Sequence, residues 1–204
     1  MANFVTNRIR LIGNESIKQL AVEINKRFTE DCKKNGYQTD TTSVGRILYG
    51  YEGDKAYLSD EMDAKWVHLD GPMDDSEPLR LISGWRPVTE IQDHILLYAA
   101  KLDPKVIIYM EYDDEMPNFV GARYILLDDD EIIEFHHEFD TSEYTVVMED
   151  DVESTKEELR NEDQDDSKVI WWEDLWGLLN DQKVKSLNEM KSIYKYTKSI
   201  KDIY

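Results

Sequence analysis

Two runs of acids are the residues best suited to chemistry: Tyr112-Asp113-Asp114-Glu115 and Asp128-Asp129-Asp130-Glu131. Hard cations such as Mg2+ take oxygen ligands, so clustered carboxylates are one way to hold an ion. Neither run has EF-hand spacing, and both fall where turns are expected, a place that favours Asp for its own reasons. Spacing leaves a metal site open beside the simpler reading of solvated turn acids. His136-His137, flanked by Glu134 and Glu138, invites a metal reading too. On a strand, however, successive side chains point to opposite faces and the two imidazoles diverge. His136 then shares a face with Glu134 and Glu138, whose charge is expected to raise its pKa. His137 shares the other with Ile133, Phe135 and Phe139, while His68 and His94 stand alone. Cys32 is the single cysteine, which excludes an intramolecular disulfide and a Cys-based zinc site and points to a reducing cytosol. No Gly-x-Gly-x-x-Gly fingerprint, Walker loop, Ser-centred elbow or His-Glu-x-x-His helix occurs, and Gly50-Tyr51-Glu52-Gly53 reads as a turn. The expectation is a protein with no catalytic residue, cofactor or metal, although the scattered carboxylates of a nuclease would leave no motif.

The elements that must position these residues follow from periodicity. Val5, Asn7, Ile9 and Leu11 alternate against Thr6, Arg8 and Arg10, which predicts a strand over 5–12. Asn14 can cap a helix over 15–34, whose stripe is Ile17, Leu20, Ala21, Ile24 and Phe28, with Cys32 one turn further. Strands or extended segments are expected at Val44–Tyr51, Trp66–Asp70 and Leu79–Trp85. Thr89-Glu90-Ile91-Gln92 reads as a capping box opening a second helix, with Ile91, Ile95, Tyr98, Ala99 and Leu102 buried and Asp103-Pro104 as its end. Three strands follow at 106–112, 119–127 and 131–139, with Asp128-Asp129-Asp130 as a tight turn. This order fits an α+β, ferredoxin-like split βαβ sandwich, an antiparallel sheet with two helices on one face, plus an extra hairpin and a helical C-terminal appendage. Residues 1–148 form that domain and 149–168 an acidic linker, in which Ser154-x-x-Glu157 is a candidate cap. Residues 169–204 are a Trp-rich and Lys-rich tail with a helix over about 183–203. Trp171, Trp172 and Trp176 cannot stay in water cheaply, so they pack on the domain or at an oligomer interface.

Charge is the strongest global signal. The 204 residues include 44 acids against 24 Lys and Arg, for a net charge of −20. From 103 to 166 there are 23 acidic and 4 basic residues, so nearly the whole excess lies in that stretch. Such a surface repels phosphate, which argues against duplex DNA binding through it, and it attracts basic surfaces. No apolar run approaches the ~20 residues of a bilayer span. The opening Met1-Ala2-Asn3-Phe4 lacks the basic-then-apolar pattern of a signal peptide.

Trp66-Val67-His68 after Asp63-Ala64-Lys65, then Ser83-Gly84-Trp85-Arg86-Pro87-Val88, then Tyr112-Asp113-Asp114-Glu115-Met116-Pro117-Asn118-Phe119-Val120-Gly121 resemble the YubB-like family of phages, plasmids and bacteria. The opening Ala2-Asn3-Phe4-Val5-Thr6-Asn7-Arg8 is similar to that family's start, with Phe4 and Val5 where a tryptophan and a cysteine often stand. The resemblance covers roughly residues 1–140 and implies a ferredoxin-like domain and a phage or mobile-element accessory protein, with no reaction or cofactor attached. Together these features lead to the expectation of an acidic inhibitor or modulator in the host bacterial cytoplasm. It would bind a basic host protein of defence or nucleic-acid handling, with nucleic-acid mimicry as one mode. Asp113, Asp114, Glu115, Asp128, Asp129, Asp130, Glu131, Glu134 and Glu138 are the candidate contact residues. Homo-oligomerisation through the tail is a further expectation. A metal-dependent enzyme on nucleic acid, and a nucleic-acid-binding module using Lys191, Lys195 and Lys198 of the tail, are the alternatives.

Overall fold

The computed structural model describes residues 3–35, 41–49, 64–71, 78–116, 118–147 and 169–193. Within them it is a mixed α+β structure: a six-stranded antiparallel sheet, a small two-stranded ladder and four helices. The acidic linker, its Ser154-x-x-Glu157 cap, the turn at 50–53 and the tail beyond 193 lie outside the described residues.

Strand β1 (Phe4–Ile12) runs through the middle of the sheet. Its odd positions Val5, Asn7 and Ile9 are buried, as alternation requires. The Asn14 side chain accepts from the Ser16 N–H at 2.8 Å and so caps α1 (Glu15–Asn35), which buries Ile17, Leu20, Ala21, Ile24 and Phe28. Residues 44–49 do not form the strand or extended segment expected over Val44–Tyr51. Thr41–Tyr49 is a helix, α2, because Val44, Ile47 and Leu48 fall at i, i+3 and i+4 and bury one stripe. Arg27 of α1 donates to the Ile47 and Leu48 carbonyls at the end of α2, and Arg46 pairs with the buried Asp31.

Strands β2 (Lys65–Leu69) and β3 (Leu79–Gly84) are antiparallel, with a register break between Lys65 and His68. Helix α3 (Thr89–Ala99) follows. Its expected capping box is absent: Val88 is the N-cap, with no side-chain cap bond. Gln92 is instead buried and donates to the Ile108 and Arg123 carbonyls. The Val88 N–H goes to Asn7 Oδ1 at 3.0 Å, so a buried strand side chain takes over part of the cap's work.

Strands β4 (Ile107–Asp114), β5 (Phe119–Asp128) and β6 (Glu131–Asp140) complete the sheet in the order β2-β3-β1-β4-β5-β6. Helices α1, α2 and α3 share one core with the sheet face that carries Val5, Ile9, Leu81, Ile108, Met110 and Ile125. The tail helix starts earlier than periodicity suggested. α4 spans Trp172–Ile193, preceded by β8 (Val169–Trp171), which pairs in parallel with β7 (Thr145–Val147). Leu175, Leu179, Leu187 and Met190 recur at helical spacing and stay buried, so the stripe runs through the tryptophan segment without a break. Leu187 and Met190 pack on Tyr109, Tyr124 and Phe135 of the opposite sheet face. α4 thus lies across the sheet from the other three helices. No described helix is long and apolar enough to cross a membrane.

Candidate functional site

The β5–β6 hairpin gathers most of the predicted acids. Asp129 and Asp130 form its two-residue loop with φ of 48° and 65°, the left-handed pair that a type I′ turn demands. Asp128, Asp129, Asp130 and Glu131 are all exposed there. Glu134, Glu138 and Asp140 follow along β6, also exposed, on the face that bears α1–α3. β6 ends the strand order, so its outer rim has no strand partner among the described residues.

Behind this edge sits a polar cluster that the sequence pattern did not announce. Arg123 is buried on β5 and binds Glu134 at 2.7 Å, Asp93 at 2.7 Å and Gln92 Oε1 at 3.0 Å. Tyr112 of β4 reaches across β5 and donates its hydroxyl to Glu138 at 2.5 Å, with His136 Nε2 2.7 Å away. With that hydroxyl proton committed to Glu138, His136 supplies Nε2–H to the phenol oxygen. The crossing is possible only because residue 121 is glycine: an added Cβ would sit 2.3 Å from Tyr112 Cζ. Burial, then the Glu138 carboxylate, pushes the Tyr112 phenol far above its ordinary value.

His136 shares its face with Glu134 and Glu138 as alternation predicted, yet its pKa moves the other way. Part of its ring meets solvent, but loss of hydration lowers the pKa by more than Glu138 and Glu134 raise it. His137 points to the opposite face and meets Glu189 of α4 at 2.8 Å. The two imidazoles therefore diverge.

The other acid run lies at the far end of the sheet. Asp113 pairs with Arg8, on the face of α4. Asp114 is buried and accepts from the Asn3 and Asn118 side chains and the Asn118 N–H; its Oδ1 has no hydrogen-bond partner among the described residues. Glu115 is exposed, and its N–H donates to the Phe4 carbonyl. About eight residues of β5, some 25–30 Å, separate this run from the Asp128–Glu131 tip. Hence six of the nine predicted contact residues share one hairpin and three do not. Of the tryptophans, Trp171 is half-buried in β8, and Trp176 is exposed with Arg8 5.2 Å from its ring centroid. The side chain of Trp172 lies outside the described residues. Cys32 packs at the core edge, where burial and then Asp31 push its thiol pKa up, away from a reactive thiolate. Among the described residues no group of three or more His, Cys, Asp or Glu could hold a metal ion. Compared with family models, curated proteins and solved structures, the chain gives no match.

Proposed function

We propose that the protein acts by recognition and that the β5–β6 hairpin docks a basic protein. One observation carries this reading: seven exposed carboxylates, Asp128 to Glu131 with Glu134, Glu138 and Asp140, line a hairpin tip and one edge strand. From residue 131 to 140 the strand runs about 30 Å. Same-face neighbours on it are ~7 Å apart, far sparser than the one charge per ~1.7 Å of duplex DNA, so competition with nucleic acid would rest on charge rather than on copied geometry. The open rim of β6 adds backbone donors and acceptors that an extended basic segment could pair with. The resemblance to the YubB-like family supplies the setting, a phage or mobile-element accessory protein that inhibits or modulates a basic host protein in the bacterial cytoplasm. A ferredoxin-like assignment for the first four strands is part of the proposal. Its support is the strand order β2-β3-β1-β4, with α1 between β1 and β2 and α3 between β3 and β4.

The test is affinity capture from a bacterial host with two baits, the native chain and D129N/D130N/E131Q/D140N. Asn keeps the left-handed turn available, so the variant loses charge without losing the hairpin. The expected result is a basic protein held by the native chain at low salt and lost by the variant. A partner kept equally by both would end the proposal.

A further inference from the structure

α4 lies over the β4–β5–β6 half of its sheet face and reaches β1 through Trp176, whose ring meets Arg8, and through the cluster that Ile12 joins; the hydrophobic clusters place none of its residues against β2 or β3. Register fixes which side chains the β2–β3–β1 half presents on that face. Phe4, Arg8 and Arg10 alternate with the buried Val5, Asn7 and Ile9, Arg8 stands opposite Arg80, and Phe4 stands opposite Gly84. The Trp66 ring lies over Gly84, where a Cβ would come within 2.9 Å of it. Trp85 packs on Trp66 with ring centroids 4.7 Å apart. Phe4, Trp66 and Trp85 are 40%, 53% and 45% exposed. Both tryptophans have left-handed backbones, φ 54° and 65°, a region bulky residues rarely enter. The fold thus bears strain at two positions and leaves both rings half in solvent, a combination typical of binding surfaces.

Among the described residues the cations of this half-face, Arg8, Arg10, Arg80 and Lys65, outnumber its acids, opposite to the balance of the chain. Arg10 and Arg80 are exposed, and Lys65 Nζ lies 5.6 Å from the Trp85 centroid. Each nearby acid among the described residues has a partner: Asp113 with Arg8, Asp70 with Arg80 at 3.6 Å, and Glu111 with the Tyr109 hydroxyl. The acidic hairpin does not cancel this field. β6 lies three strand spacings from β1 and five from β2, about 14–24 Å, beyond the ~8 Å Debye length of physiological salt.

We propose that this half-face binds a single-stranded nucleic acid. Bases stack on Trp66, Trp85 and Phe4, and phosphates meet Arg10, Arg80 and Lys65. An acidic peptide would satisfy the cations but leave the three rings unused, and a basic one would be repelled. Paired bases hide their faces, so duplex is disfavoured. The contacts read base faces and phosphates and ignore the sugar, so DNA and RNA strands bind alike. The surface is separate from the proposed protein-docking hairpin, and either can fail alone.

The experiment is fluorescence anisotropy of the full chain with a labelled oligothymidylate of about 15 nucleotides, within the roughly 4–16 nucleotide footprints of small single-strand binders. Expected is binding that weakens with rising salt, competition by an oligouridylate to within a few-fold, and much weaker duplex binding. Both R10E/R80E and W66A/W85A should weaken binding by at least about tenfold. R10E/R80E changes only exposed side chains and breaks no more than the weak exposed Arg80–Asp70 pair, so it decides the matter if the tryptophan variant misfolds. K195E/K198E, in the lysine-rich tail, should leave affinity unchanged. Absence of binding by the native chain, or binding that survives R10E/R80E but is lost in K195E/K198E, overturns the proposal.

Discussion

His136 is the residue whose environment contradicts its neighbours' charges. Two glutamates share its face, yet its pKa is depressed, because partial loss of hydration beside Tyr112, with the Arg123 charge and His137 adding to it, costs the imidazolium more than the carboxylates return. The folded value lies below the ordinary 6.5, so near and below that pH the unfolded chain binds more protons than the folded one. Stability is therefore full above pH 6.5, falls as pH drops through the folded pKa, and levels off beneath it. In His136→Gln, which keeps a donor toward the Tyr112 hydroxyl, this part of the acid sensitivity should vanish. Denaturant midpoints measured across that pH window check it, and equal slopes for the two proteins would refute the assignment. The residues of this cluster were only half legible in the sequence. Alternation placed Glu134, His136 and Glu138 on one face. Arg123 passed unremarked inside an apolar strand, because nothing local names its partners. These come from α3 and β6, about 30 and 11 residues away. Gly121 looked like any strand glycine. Its purpose appears only when the Tyr112 ring is seen lying across it.

At the scale of elements, α4 decides whether the sheet is finished. Tyr109, Tyr124 and Phe135 form an apolar strip that faces away from α1–α3, with Tyr109 and Tyr124 stacked at 4.4 Å. Leu187 and Met190 are fully buried on it. Leu187→Ala or Met190→Ala should each cost about 2–5 kcal/mol, the usual range for emptying a core site. Thermal or denaturant melts should show one cooperative transition at a lower midpoint. Loss of less than about 0.5 kcal/mol would mean that α4 leaves the sheet in solution. Most of these elements were readable in advance, because strands with a two-residue period and helices with clean stripes carry their own signal. α2 was not: Val44 to Tyr51 is short, β-branched at one end and aromatic at the other, its stripe of Val44, Ile47 and Leu48 covers little more than one turn, and contact with Arg27 and Asp31 of α1 supports the helix. The start of α4 was obscured for a different reason. Three tryptophans looked like a separate patch, whereas Leu175 and Leu179 continue the stripe of Leu187 and Met190.

Across the whole molecule the charges are sorted rather than mixed. The β5–β6 edge is anionic and the β2–β3–β1 face carries Arg8, Arg10, Arg80 and Lys65, so one sheet is polarised across its width. A net charge of −20 on a chain of 204 residues also means that folding compresses like charges. Salt acts on the two contributions in opposite senses. It relieves long-range repulsion among exposed acids, while it weakens exposed ion pairs such as Arg80–Asp70 and barely touches the partly buried Arg123–Glu134 and Arg46–Asp31 pairs. Exposed pairs contribute little to begin with, so repulsion dominates. The thermal midpoint at neutral pH should accordingly rise by several degrees between about 10 mM and 200 mM NaCl, a range over which the Debye length shrinks from roughly 30 Å to below 10 Å. D129N/D130N/E131Q/D140N should melt higher than the native chain at low salt and gain less from added NaCl, because it removes charge from the densest part of the field. A midpoint that falls with salt would show instead that attraction between opposite charges, rather than relief of repulsion, governs the stability of this fold.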